Sequence, residues 1–239
     1  MLAFLDSGIG GLTVARSLRA LCPDADIAYL ADRANAPYGT KSEGELLPLL
    51  SQGICALLAL GAERVVLACI TASCLYDRLP REIRPRVIPI LPFIAEAIAK
   101  ETGRVGMIAT EATVKSDALM LSLRGMGVFR PIEKRAAQSL VALAEARRFS
   151  VSDPAVERAL TDAISPLVYR GVDTLVLGCT HFPYFEDAIR ALYGGLKILS
   201  PARIASEALV NTLPRAWLSG EGGFRYLTSA RGRPRQEVK

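Results

Sequence analysis

Residues 174–183 read TLVLGCTHFP. Positions 174–177 are β-branched or aliphatic, which suits a buried strand. Gly178 then lets the backbone turn, and Cys179, Thr180 and His181 follow, with Pro183 where a chain leaves the strand end. A thiol, a hydroxyl and the single histidine of the protein are thus crowded at the carboxyl end of a strand. In open α/β sheets that end is where ligands bind.

The same construction occurs at residues 64–73, RVVLACITAS. An apolar run leads through the small Ala68 to Cys69, with Thr71 and Ser73 beyond. Cys69 and Cys179 lie 110 residues apart. Taken singly, each reads as a buried structural cysteine, since free Cys is among the most buried residue types. As a pair, each followed by hydroxyl residues at a strand end, they read as functional. They imply two similar half-structures facing a shared cleft.

With 239 residues, 51% hydrophobic and 22% charged, the chain is globular and long enough for one large domain or two ordinary ones. No apolar run approaches the roughly 20 residues needed to span a bilayer. No basic leader with a long apolar stretch is visible, so no secretory signal is expected. The five cysteines include no CxxC pair, which points to reduced thiols in a cytoplasm. One histidine and no CxxC leave no set of zinc ligands. The net charge of +5 is concentrated at the end: residues 225–239 hold five basic side chains against Glu237, a net +4, leaving the body at +1. Such a tail reads as a solvated, poorly ordered end. Without interleaved aromatic and basic residues, neither a nucleic-acid nor a membrane partner is expected.

Along the chain, residues 2–5 form a short apolar strand, Asp6-Ser7-Gly8-Ile9-Gly10-Gly11 a glycine-rich turn, and residues 12–21 a helix by apolar spacing. This is no dinucleotide fingerprint, because Thr13 stands where GxGxxG needs a glycine, and Asp6 would repel a phosphate. A carboxylate or amino-acid ligand fits better. Residues 26–30 are a second strand, 33–41 a loop centred on Pro37-Tyr38-Gly39, and 42–60 a helix opened by a Ser42/Glu45 capping box. Further strands are expected at 86–91, 104–108 and 197–199, with 224–228 as a last edge strand. Helices are expected at 74–79, 94–100, 139–148, 152–169, 184–193 and 202–213. Strands alternating with helices mean βαβ units. The fold expected is α/β: two pseudo-symmetric, doubly wound domains with mostly parallel sheets and the active site in the cleft between them. The first would take residues 1–91 and 203–239, the second 92–202.

Four motifs in this order, LDSGIGGLTV at 5–14, Tyr29…Asp32…Pro37-Tyr38-Gly39, ACxTAS at 68–73 and GCTHFP at 178–183, resemble the glutamate racemase family of the cofactor-independent aspartate/glutamate racemase superfamily. The resemblance covers nearly the whole chain, including the TxxT turn after the strand at 104–108. It implies that Cys69 and Cys179 are the two acid/base residues, one on each face of the substrate α-carbon. Asp6 and His181 would support the thiols, with Asp32 and Glu145 as further polar helpers. Ser7, the Pro37-Tyr38-Gly39 clamp, position 70, Thr71 and Thr180 would hold the amino acid. The implied partners are glutamate and a second copy of the chain in a homodimer, with no cofactor, and the product D-glutamate would serve peptidoglycan synthesis.

The chemistry agrees with the residue types. Racemisation removes a proton from one face of Cα and delivers one to the other, which two opposed bases do without turning the substrate over. A free thiol, with a pKa of about 8.5, can serve as thiolate on one side and thiol on the other. Protonated His181 would favour a thiolate, and hydrogen-bond donors would stabilise the carbanion. One departure matters: the family reads ACNTAS, and this chain has Ile70 in place of Asn; lesser ones are the lack of a Tyr after Ser116 and of an acidic residue near Leu199-Ser200-Pro201. Leaving one polar partner unsatisfied costs about 1–3 kcal/mol, which implies roughly one to two orders of magnitude in efficiency. Three readings follow, in this order: a weakened glutamate racemase, a racemase for another acidic amino acid, or a binding protein without catalysis.

Overall fold

The computed structural model describes residues 1–230 and 233–237. The first strand, β1 (Leu2–Asp6), is buried throughout, and its alternation decides what packs on each side. Leu2 and Phe4 enter one core, Ala3 and Leu5 another, as the period of a strand dictates. From β1 the chain runs through α1 (Leu12–Leu21), β2 (Ile27–Ala31), α2 (Glu43–Ala59), β3 (Arg64–Leu67), α3 (Ile70–Ser73), β4 (Val87–Pro89) and α4 (Leu91–Ala99). It continues with β5 (Val105–Ala109), α5 (Glu111–Lys115), α6 (Ala118–Gly125), β6 (Glu133–Ala136), α7 (Gln138–Glu145), α8 (Pro154–Tyr169), β7 (Thr174–Gly178), α9 (Glu186–Leu192), β8 (Lys197–Leu199) and α10 (Pro201–Thr212). Two strands close it, β9 (Phe224–Ala230) and β10 (Arg233–Glu237).

These strands form two sheets. The first has the order β10-β9-β2-β1-β3-β4 and the second β6-β5-β7-β8. Every pairing is parallel except β9 with β10. The α/β fold with two mostly parallel sheets is therefore as the sequence predicts. One core is shared: Leu2, Phe4, Tyr29 and Val66 of the first sheet and Val105, Met107 and Val176 of the second bury their side chains with α1, α4, α6 and α10. The α2 helix covers the other face of the first sheet through Leu46, Leu50, Ile54 and Leu57. Helices α7, α8 and α9 cover that of the second.

The Ser42/Glu45 capping box is present, with Glu45 Oε2 accepting from the Ser42 N–H at 2.8 Å. Several expectations are corrected. The helix expected at 74–79 begins earlier: the Ser73 N–H donates to the Cys69 carbonyl at 2.8 Å, so the chain turns helical straight from the strand end, and only a short 3-10 turn, Tyr76–Arg78, follows. The strand at 86–91 shrinks to three residues because Pro92 sits in the first turn of α4, where its missing N–H costs nothing. The helix α6 and strand β6 have no counterpart in the sequence reading. The β6 segment EKRA is half exposed and lacks apolar alternation. Strand β9 is not an edge, for β10 pairs outside it. Positions 233–237 of the basic end, read as unordered, are thus a strand, while 231, 232, 238 and 239 lie outside the described residues. Among the described residues no helix is long and apolar enough to cross a membrane.

Candidate active site

The carboxyl ends of β1, β2 and β3 meet those of β5 and β7. Asp6 ends β1, Asp32 follows β2, Cys69 follows β3, Thr110 follows β5 and Cys179 follows β7. Asp6, Cys69, Cys179, Thr180 and His181 are all buried.

The second half supplies a chain of three groups. Cys179 Sγ lies 3.7 Å from His181 Nδ1, and His181 Nε2 lies 2.7 Å from Glu145 Oε1. Glu145 Oε1 also accepts from the Ile9 N–H at 3.0 Å, so this carboxylate joins α7 to the glycine-rich turn of the first half. Burial opposes a charge on His181, but the Cys179 sulfur, Glu145 and Asp6 outweigh it, and its pKa rises to about 10. For Glu145 the partial burial raises the pKa, and the hydrogen bonds from His181 and Ile9 more than reverse this, so its carboxyl is held below the usual range. His181 is therefore an imidazolium at neutral pH, between a sulfur and a carboxylate.

The first half supplies Asp6 and Cys69. Asp6 Oδ1 accepts from the Gly8 N–H at 2.8 Å, and Oδ2 accepts from the Thr180 hydroxyl at 3.0 Å. Burial pushes the Asp6 carboxyl up despite His181 nearby. Burial also raises the Cys69 thiol well above its ordinary value, with the charges of Asp6 and Cys179 adding to it. The two cysteines are thus within electrostatic reach of each other, and Cys69 is held as the thiol.

The glycine-rich turn is what lets the halves approach. A Cβ on Gly10 would stand 2.5 Å from His181 Nδ1 and 2.7 Å from Thr180 Oγ1. Real side chains do not fit there, so glycine is required by close approach. Thr13 Oγ1 donates to the Gly10 carbonyl, Tyr29 OH to the Gly8 carbonyl and Tyr184 OH to the Ile9 carbonyl, which pins the turn from three elements.

Asp32 is placed differently from the two thiols' partners. It accepts from Tyr38 OH at 2.6 Å and from Asn35 Nδ2 at 2.9 Å, and so ties down the loop that carries Pro37-Tyr38-Gly39. Tyr38 and Gly39 are buried and Pro37 is exposed. Ser7 and Ile70 are buried, the first in the turn after β1 and the second at the start of α3. Thr71 Oγ1 lies 2.9 Å from Thr110 Oγ1 and 3.1 Å from Thr113 Oγ1, a buried trio of hydroxyls that crosses between the halves. Thr110 and Thr113 are not among the site residues expected from the sequence. Their signal was a TxxT turn at a strand end, in the same position relative to β5 as the glycine-rich turn is to β1.

Comparison with known proteins accords with this architecture. The Asp/Glu/hydantoin racemase family model matches residues 13–209. A glutamate racemase of Desulforudis audaxviator is 39% identical over 192 residues, covering 79% of this chain and 70% of that protein. One of Carboxydothermus hydrogenoformans is 35% identical over 224 residues, covering 93% and 83%. Among solved structures, glutamate racemase from Francisella tularensis in complex with D-glutamate superimposes with a TM-score of 0.85 at 27% identity, covering 96% of this chain and 88% of that one. The chain is a racemase, an enzyme of the isomerase class. It belongs to the Asp/Glu/hydantoin racemase family and, within it, to the glutamate racemases.

Proposed function

We propose that the protein interconverts L- and D-glutamate with Cys69 and Cys179 as the opposed acid and base. One thiolate takes the α-proton, breaking the C–H bond and forming S–H, and the opposite thiol returns a proton to the other face. The enzyme ends with the protons exchanged between its two sulfurs. The observation that carries this reading is the Cys179–His181–Glu145 chain, set within electrostatic reach of Cys69. His181 offers a charged donor to one sulfur. Asp6 is the carboxyl beside the other, and burial pushes its pKa up, which favours its holding a proton next to that sulfur. Ser7, the Tyr38-Gly39 backbone, Thr71 and Thr180 hold the carboxylates and ammonium, and Asp32 fixes the clamp through Tyr38. The D-glutamate formed would feed peptidoglycan precursors.

The test is exchange of the glutamate α-proton in D₂O, followed by NMR from both enantiomers, with Cys69→Ala and Cys179→Ala as controls. Inversion by the wild type and its loss in each single variant is the expected result. Absence of exchange from glutamate together with exchange from aspartate would favour a racemase for a different acidic amino acid. Ile70, an apolar and almost fully buried side chain next to Cys69, is the observation that gives this second reading its weight.

A further inference from the structure

Gln138 opens α7, the helix that ends in Glu145. It follows β6 directly, where the Ala137 N–H donates to the Ala109 carbonyl at 2.8 Å and so sets Gln138 beside Thr110. Its side chain reaches over to the first half. A Cβ on Gly39 would stand 2.8 Å from Gln138 Oε1 and 2.6 Å from Thr110 Cβ. Oε1 is buried with no hydrogen-bond partner, one of only three such side-chain atoms among the described residues. Buried polar atoms are nearly always paired, so an orphan requires an explanation. The neighbouring Thr110 hydroxyl does not provide one, since it is engaged with Thr71 and Thr113. The groups around the sulfurs are tied to one another, and Gln138 Oε1 lies instead against Gly39 of the clamp.

We propose that Gln138 is a substrate-recognition residue. Its carboxamide hydrogen-bonds the carboxylate that an acidic amino acid carries on its side chain, beside the Pro37-Tyr38-Gly39 clamp. A carboxamide has two N–H donors on nitrogen and an acceptor on oxygen, and a half-turn of the terminal torsion exchanges them. Its polar capacity is left unused by the protein and is available to a ligand. A carboxylate, which only accepts, takes the N–H end. This proposal rests on turnover of an acidic amino acid, as above, but not on that amino acid being glutamate.

Two same-length variants test it. Gln138→Met keeps the bulk and removes the polarity, and Gln138→Glu keeps the shape and replaces the donors with a charge that repels a carboxylate. Steady-state kinetics are measured on both enantiomers of glutamate, aspartate and alanine, with thermal melts alongside. In Gln138→Met the KM for the acidic amino acid rises about tenfold with kcat within about threefold. The melting temperature does not fall, because the variant removes an unpartnered buried oxygen. In Gln138→Glu the KM rises further, about a hundredfold. Any activity on alanine, which has no second carboxylate, changes equally little in both. An unchanged KM in Gln138→Met, or equal losses on acidic and neutral amino acids, overturns the proposal. If the wild type turns over aspartate and not glutamate, the glutamate reading fails, while the same KM shift on aspartate keeps this one. If it turns over neither and calorimetry finds no binding of either, both fail.

Discussion

Thr180 Oγ1 donates to Asp6 Oδ2 at 3.0 Å, across 174 residues of sequence. The bond joins the residue after one cysteine to the carboxyl beside the other, and it is buried from end to end. Removing the donor by Thr180→Val leaves Asp6 with only the backbone N–H groups of Gly8 and Gly11. A hydrogen bond to a charged group contributes about 1.5–3 kcal/mol. The expected result is a fall in kcat/KM of roughly ten- to hundredfold. Steady-state racemisation assays check it, and activity within twofold of wild type would contradict it.

Glu145→Gln replaces the charged acceptor of His181 by a neutral one. The His181 pKa should then fall from its position near 10. Because the protein has a single histidine, one imidazole resonance reports this directly in an NMR titration. Activity at neutral pH should drop about tenfold or more, since general acid–base partners typically contribute at least that much. An unmoved titration would show that Glu145 does not hold the imidazolium charge.

The raised pKa of His181 also makes stability depend on pH. Its ordinary value is 6.5 and its folded value about 10. Between these, the folded state keeps a proton that the unfolded state releases, so unfolding becomes easier as the pH rises. The stabilisation is complete below about 6.5 and lost by about 10. Urea denaturation of wild type and His181→Gln should therefore give a stability gap that narrows between these two values. A constant or widening gap would refute the assignment.

Gly10→Ala introduces a methyl group where a Cβ would lie 2.5 Å from His181 Nδ1. At that distance something must shift, and the atoms in the way belong to two buried side chains, His181 and Thr180. Activity should fall by about a hundredfold, as it does when catalytic groups shift by an ångström. The melting temperature should fall too, and Gly44→Ala, with nothing within 4 Å of its Cβ, serves as a control that changes neither.

Ile70→Asn puts a hydrogen-bonding group at the position after Cys69, where the isoleucine packs into the shared core. A gain of about 1–3 kcal/mol in transition-state binding corresponds to a ten- to hundredfold higher kcat/KM on glutamate. Stability should fall slightly, because without substrate the amide is buried in a largely apolar setting. No gain on glutamate would mean that the pocket has been reshaped around Ile70 for another ligand.

Much of this was legible in the sequence. The apolar runs ending in Cys69 and Cys179 marked both strand ends, and Ser42 with Glu45 marked the start of α2, because each signal lies within a few residues of chain. Legibility failed where the signal was weak or distant. Strand β6 carries charged residues on a partly exposed edge and shows no alternation. The helix α3 starts without a linker after Cys69, which no capping residue announces. Gln138 looks like an ordinary polar residue at a helix start, and only its position against Gly39 makes it notable.

By itself the sequence determined that this is an α/β chain with two cysteine-bearing strand ends, since apolar periodicity and glycine turns act over a few neighbouring residues. Only the tertiary structure decided which groups meet. His181 finds Glu145 36 residues away, and Glu145 finds Ile9 at a separation of 136. Those distances are set by how two sheets pack on one shared core, and no local pattern encodes the packing of elements so far apart.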